Sequence, residues 1–448
     1  MSSHRPFASG AMVNAYNAGL ASQIGPAERE MIARRERSLG PAYRLFYRHP
    51  IHLVRGEGAW LYDDKGNAYL DAYNNVACVG HCHPRVAQAI ADQARTLNTH
   101  TRYLHHTILD YAERLLATLP SALSHVMFAC TGSEANDLAM RIAKTFTGGT
   151  GFVVTELAYH GVTDAVAQLS PSLGRRIAPG PHVRTVPAPD RNRMQAVGTD
   201  FGRNVEAAIA ELQASGIKPA ALIVDTIFSS DGVFPDPKGF LAPAVEAMQS
   251  AGGLFIADEV QPGLGRTGEM MWGFQRHGIV PDVVTAGKPM GNGHPLSALF
   301  VKPAVVAEFG ASARYFNTFG GNPVSCAAGL AVLDVIESEG LMENARDVGN
   351  YLQEGLRELA RRHAVIHDIR GAGLFVGVEL IDPHRGDPAT EAATNFVNAM
   401  RERFILLSAT GPYGNVLKIR PPLVFSRANA DLFLATADAV LSEFAPRG

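Results

Sequence analysis

Two charged side chains stand where short apolar runs stop. Lys288 follows Val283-Val284-Thr285-Ala286-Gly287 and opens the turn Lys288-Pro289-Met290-Gly291-Asn292-Gly293, while Leu254-Phe255-Ile256-Ala257 ends in Asp258-Glu259. A connection of this length usually joins parallel strands, so both charged ends reach one edge of one sheet, where open α/β folds place ligands. An amine and a buried carboxylate facing one crevice are what a pyridoxal phosphate enzyme requires. The lysine carries the cofactor as an imine, a Schiff base, and the aspartate pairs with the protonated pyridine nitrogen. An ion pair capping two strands accounts for the same spacing, and spacing alone leaves both readings open.

Other segments could serve an anion or a flat ring. Thr131-Gly132-Ser133-Glu134-Ala135-Asn136 follows an apolar run and opens a helix, offering free N–H groups, a helix dipole and hydroxyls to a phosphate. A plain capping turn with Ser133 as N-cap is the competing account. Tyr159, in Ala158-Tyr159-His160-Gly161, could stack on a cofactor or merely pack. Thr318 lies in the glycine-rich Asn317-Thr318-Phe319-Gly320-Gly321-Asn322-Pro323 and could donate to a phosphate. Arg420, held between Ile419 and two prolines, suits bidentate binding of a carboxylate or phosphate, or a structural salt bridge.

Two motifs mislead. Gly263-Leu264-Gly265-Arg266-Thr267-Gly268 fits G-x-G-x-x-G, the mark of a nucleotide-binding oxidoreductase, but it starts beyond the strand end and opens no helix. Cys78-Val79-Gly80-His81-Cys82-His83 has metal-ligand types, but no second cluster completes a tetrahedral site, so no metal is expected.

The elements that position these residues follow from length and pattern. A chain of 448 residues is too long for one small core, and its 46% apolar content is ordinary. With 40 basic and 43 acidic residues the formal charge is −3, which favours neither nucleic acid nor an anionic membrane. Met1 to Gly25 lacks a signal-peptide pattern and no apolar run reaches the roughly 18 to 20 residues of a membrane span, so cytoplasmic residence is expected. Four cysteines are expected as thiols.

After an N-terminal helix, a small antiparallel piece reads from Ile51 to Leu70 with a turn at Asp63-Asp64-Lys65-Gly66. From Pro84, helices at 84–98, 107–119, 134–146, 202–214 and 239–251 alternate with strands at 125–130, 152–155, 183–186, 220–224, 254–258, 283–286 and 297–301. That alternation predicts an α/β fold with a mainly parallel, doubly wound sheet. A long helix leads out at Pro323 to Glu339. The final stretch predicts a smaller α+β unit: a helix at 341–362, strands at 365–369 and 373–380, a helix at 390–404, a strand pair around Ile405 and Val416–Ile419, and a closing helix. The expected division is 1–83, 84–335 and 336–448, with the N-terminal hairpin joining the C-terminal unit.

From about Pro50 to Leu441 these segments resemble the class III aminotransferases, pyridoxal phosphate enzymes of fold type I. Cys130 to Asn136, Ala257-Asp258-Glu259-Val260-Gln261, Gly287-Lys288 and Phe316 to Pro323 carry the likeness. The resemblance implies that Lys288 forms the internal imine, Asp258 pairs with the pyridinium, and Val260 and Tyr159 pack on its two faces. It further implies that Gln261 reaches the ring hydroxyl, and that Gly132 and Ser133 hold the phosphate with Thr318 of the other subunit, in a homodimer with shared sites.

Within the family, Tyr73-Asn74-Asn75-Val76-Ala77, Gly80 to Pro84, Asn98 to His105 and Gly287 to Pro295 resemble the ethanolamine-phosphate and phosphohydroxylysine phospho-lyases, which makes Asn75 a candidate substrate residue. Ser230, in Asp225-Thr226-Ile227-Phe228-Ser229-Ser230-Asp231-Gly232, stands where transaminases carry the glutamate that pairs with the substrate arginine. Arg420 itself is the usual transaminase choice, where the animal phospho-lyases carry lysine. The expected substrate is a small primary amine. The expected reaction is elimination of phosphate from O-phosphoethanolamine or a relative, and the alternative is ω-transamination to a keto acid such as pyruvate.

Overall fold

The computed structural model describes residues 12–19, 24–174 and 177–444. The reading of Met1–Gly25 therefore falls largely outside the described residues. A hairpin and a third strand, β1 (Leu53–Glu57), β2 (Trp60–Asp63) and β3 (Ala68–Asp71), form the first sheet. The Asp63 carboxylate fastens its turn, accepting from the N–H groups of Lys65 and Asn67 at 3.0 and 2.8 Å.

Seven strands build the main sheet: β4 (His125–Ala129), β5 (Gly151–Thr155), β6 (Val183–Val186), β7 (Pro219–Asp225), β8 (Leu254–Asp258), β9 (Val283–Ala286) and β10 (Ser297–Val301), in the order β4-β10-β9-β8-β7-β5-β6. All neighbours are parallel except β10, which runs antiparallel to β9 and β4. The link from Ala286 to Ser297 is too short for a helical crossover, so β10 must fold back. Strands β5, β8, β9 and β10 are buried throughout, as sheets covered on both faces require. The sheet is thus mainly parallel and doubly wound, as the alternation predicts.

A third sheet, β11 (Ile366–Ala372), β12 (Phe375–Leu380), β14 (Ser408–Thr410) and β15 (Val416–Ile419), runs in the order β11-β12-β15-β14. The expected pairing of Ile405 with Val416–Ile419 does not occur. Instead β13 (Ile405–Leu406) lies parallel to β3, with Ile405 opposite Leu70, while β15 pairs with β12 and β14. β13 thereby ties the N-terminal hairpin to the C-terminal chain. The three residues of β14 and the helix Pro303–Ser312 have no counterpart among the expected elements.

The helix Gly132–Thr147 starts earlier than its apolar periodicity. Its cap is Thr131, whose hydroxyl accepts from the Glu134 N–H, while the Glu134 carboxylate accepts from the Thr131 N–H at 3.0 Å. This capping box corrects the assignment of Ser133 as N-cap: Ser133 sits inside the first turn.

Candidate active site

Register brings three polar residues into line at the carboxyl edge of the main sheet. Asp225 on β7 lies opposite Asp258 on β8, and Asp258 lies opposite Thr285 on β9. The Asp258 carboxylate is buried and shared among three donors. Its Oδ2 contacts Asn136 Nδ2 at 3.0 Å and His160 Nδ1 at 2.8 Å, and its Oδ1 accepts from the Val260 N–H at 3.1 Å. Asn136 is in turn fixed, its Nδ2 donating to the His160 carbonyl at 2.7 Å and its Oδ1 accepting from Thr285 at 2.7 Å. A buried carboxylate so held has its plane set by its surroundings.

Lys288 is the second residue past β9, with φ +26°, a conformation that a side-chain-bearing residue adopts only when its surroundings enforce it. Its Nζ lies 5.8 Å from the centroid of the Tyr159 ring. Burial, with the Arg420 guanidinium adding to it, lowers its pKa to about 8 against the opposing pull of Asp258 and Asp225. Such an amine is substantially unprotonated at mildly alkaline pH and can act as nucleophile or base.

A cavity of about 160 Å³ lies between these groups, lined by Gly132, Ser133, Tyr159, Asp258, Val260, Gln261 and Lys288 along with His160, Gly161 and Asp225. Glycine is required at its phosphate-suited end. A Cβ on Gly132 would come within 3.0 Å of Val260, and one on Gly161, where φ is +146°, within 2.5 Å of the Ser133 hydroxyl. That hydroxyl accepts from the Val162 N–H at 3.1 Å. An amine at one end, a carboxylate buried to 3% exposure in the strand-edge register, and Val260 and Tyr159 on the walls fit a substituted pyridine bearing a phosphate.

Lys288 also lines a second cavity of about 410 Å³, together with Arg44, Phe46, Tyr73, Asn75 and Arg420. Arg420 donates through Nε to the Tyr73 carbonyl at 3.0 Å and through Nη1 to Gln261 Oε1, and it lies 4.6 Å over the Tyr73 ring. Asn75 donates to the Gln261 carbonyl at 2.9 Å, while its own Oδ1 is buried without a protein partner.

Nine of the eleven candidate residues therefore surround one of two cavities that meet at Lys288. Ser230 and Thr318 line neither. The Ser230 carbonyl accepts from Thr410 and from the Gly411 N–H, and Thr318 is exposed on its loop. Three residues escaped the sequence reading: Asn136, His160 and Asp225. All three stand inside segments singled out for other residues. Their signal is a polar side chain at a helix phase or loop position that turns inward, which only the packing reveals.

The misleading motifs are accounted for locally. In Gly263–Gly268, Gly268 packs on the Arg346 backbone and the buried Arg266 donates to the carbonyls of Leu374 and Pro421, leaving the loop filled by protein. In the cysteine segment, Cys78 Sγ donates to the Pro289 carbonyl at 3.2 Å, His81 pairs with Asp71, and His83 with Glu339. A larger cavity of about 540 Å³ over Glu156, Arg193 and Tyr413 does not reach Lys288, and its arginines Arg193, Arg203 and Arg370 each hold a carboxylate. Among the described residues, no helix is long and apolar enough to cross a membrane.

The family profile described as aminotransferase class-III matches residues 46–441. An alanine–glyoxylate aminotransferase 2-like protein of Drosophila melanogaster is 41% identical over 422 residues, covering 90% of this chain and 85% of its own. An ethanolamine-phosphate phospho-lyase homologue of Caenorhabditis elegans is 36% identical, covering 93% of this chain and 94% of its own. The solved structure of a phospholyase from Arthrobacter, in complex with phosphoethanolamine, superposes with a TM-score of 0.89 at 43% identity, covering 92% of this chain and 99% of that one.

Proposed function

The chain belongs to the class III aminotransferase family and is a pyridoxal 5′-phosphate-dependent enzyme, and from that premise we propose that it eliminates phosphate from O-phosphoethanolamine or a closely related phospho-amine. The products are an aldehyde, ammonia and inorganic phosphate. One observation carries the choice of reaction. Among the described residues Arg420 faces the substrate cavity with no carboxylate partner, held instead by a main-chain carbonyl and an amide oxygen. The substrate named in the Arthrobacter complex supports the same choice. Transamination remains the second reading, favoured by the Drosophila relative's name and by arginine at position 420.

The residue roles are those the family resemblance implies, supported by the lining of the two cavities. Bound in the smaller one, pyridoxal phosphate supplies an aldehyde for amines and a ring that takes up electrons. Lys288 would hold the cofactor through its amine, and that amine, when free, would take the proton from the substrate carbon that bears nitrogen. Asp258, fixed by Asn136 and His160, would hold the ring nitrogen. Val260 and Tyr159 would cover the ring faces, Gln261 would reach the ring hydroxyl, and Gly132 and Ser133 would hold the phosphate with Thr318 from a second subunit. Asn75 and Arg420 orient the substrate.

Departure of the neighbouring phosphate then breaks its carbon–oxygen bond. The enamine released adds water to give aldehyde and ammonia, so no keto acid is consumed. Ser230, in place of a glutamate gate, is compatible with a site that never exchanges a carboxylate partner for Arg420. A homodimer, a cytoplasmic location and the division into 1–83, 84–335 and 336–448 complete the proposal. The division is supported by the main sheet lying wholly within its second part.

The test is to supply O-phosphoethanolamine with and without pyruvate and to measure inorganic phosphate and alanine. Phosphate release independent of pyruvate is expected. Alanine formation without phosphate release would overturn the lyase reading in favour of transamination.

A further inference from the structure

We infer that Asp231 is a positioning residue for the cofactor site: from outside the cofactor cavity it fixes the root of the strap 158–161, and through it the placement of Tyr159 and His160. The inference rests on the cofactor roles proposed above for Tyr159 and Asp258, and not on the choice between elimination and transamination. Asp231 is buried, and both of its carboxylate oxygens hold the chain where β5 ends. Its Oδ2 accepts from the Thr155 hydroxyl at 2.8 Å and its Oδ1 from the Leu157 N–H at 3.1 Å. The strap follows at once. Tyr159 lines the cofactor cavity, and His160 Nδ1 meets Asp258 at 2.8 Å.

The far end of the strap is tied separately: the His160 N–H donates to the Ser170 hydroxyl at 2.9 Å and the Val162 N–H to the Ser133 hydroxyl at 3.1 Å. At the root both side-chain bonds come from one carboxylate, so a single substitution releases it. The loop that carries Asp231 is itself gripped by the third sheet. Arg370 on β11 donates through Nε to the Gly232 and Val233 carbonyls at 2.9 Å each, and Thr410 on β14 donates to the Ser229 and Ser230 carbonyls at 3.1 and 3.0 Å. Arg420 follows β15 of that same sheet and lines the substrate cavity. One carboxylate thus joins the strap beside the cofactor to the sheet that presents Arg420. Removing a buried acceptor leaves its donors unpaired, which is costlier than the bonds themselves. Asp231 and Leu157 both line the 540 Å³ cavity, so truncating the carboxylate opens onto that cavity and not into the packed core.

The experiment compares holoenzyme of wild type, Asp231→Ala, Asp231→Asn and Thr155→Val. Hydrogen exchange is followed by peptide at saturating pyridoxal phosphate, and cofactor loss on dilution is followed by absorbance. Asp231→Ala is expected to speed both exchange across 156–161 and cofactor loss by about 10-fold, the scale of one buried charge-assisted contact, with β8 and β9 unchanged. Thr155→Val should show a smaller effect of the same kind. Asp231→Asn should stay within about threefold of wild type, because its amide can accept from Leu157 and donate to the Thr155 hydroxyl. Formate, small enough to enter the 540 Å³ cavity, should slow both rates in Asp231→Ala and leave wild type unaltered. Unchanged rates in Asp231→Ala, or faster exchange spread equally over β8 and β9, would overturn the positioning role. Faster exchange confined to the strap with unaltered cofactor loss would overturn it too, and would remove Tyr159 from the cofactor's support. Neither readout uses an amine substrate, so failure of phosphate release removes the lyase reading and leaves this inference standing.

Discussion

The burial of the Lys288 amine has a measurable consequence. With its pKa lowered to about 8, chiefly by burial and next by Arg420, the amine is mostly protonated below that pH and mostly free above it. Covalent capture of an aldehyde requires the free amine. The rate at which cofactor-free protein takes up pyridoxal phosphate should therefore climb through pH 8 and level off by about pH 9, where an ordinary lysine of pKa about 10.4 would still be accelerating. A stopped-flow pH series checks this, and a rate still rising at pH 10 would show the burial effect to be absent. Lys288→Ala should take up no cofactor covalently and lose turnover altogether. The place of this residue beside Asp258 at the sheet edge was legible from its position after an apolar run. The network behind Asp258 was not, because nothing in a single sequence says that Asn136, one turn into its helix, points at a strand end and not at solvent.

At the scale of elements, short apolar runs gave away the strands, since a parallel sheet covered on both faces leaves little room for polar residues. Partnership was harder to read. Ile405 and Val416–Ile419 are neighbours in sequence with similar composition, yet β13 turns to β3 and β15 to β12, a choice made by hydrogen bonds to distant chain. The helix start at Gly132 was misread for a related reason. Ser133 and Thr131 are both good caps, and the tie is broken by Glu134, whose carboxylate reaches back to the Thr131 N–H only if Thr131 is the cap. This frees the Ser133 hydroxyl to face Val162 and the cavity. Thr131→Ala should cost about 1 kcal/mol of stability, the usual worth of an N-cap. Denaturant midpoints of the cofactor-free protein would report it, with Thr131→Ser close to wild type. An unchanged midpoint for Thr131→Ala would mean that the helix start does not depend on this cap.

For the whole molecule, the unexplained feature is an exposed apolar surface on two loops. Leu104 is 99% exposed and Phe319 69%, on segments linked by His100 meeting the Phe316 ring edge to face at 5.6 Å and Arg102 lying 3.8 Å over the same ring. Side chains of this size gathered in one patch signal an interface more than a solvated face. Thr318 stands on the same loop, exposed and outside both cavities that meet at Lys288, which is the position expected of a residue lent to a second copy. The Leu104→Glu, Phe319→Glu double variant should therefore scatter light as a single chain where the wild type scatters as two. It should also lose most activity, because each site would miss its partner's Thr318. Thr318→Ala should weaken cofactor retention while leaving the assembly intact. A wild type already of single-chain mass, or a double variant that stays paired and active, would place the interface elsewhere and leave the phosphate to the groups of one chain.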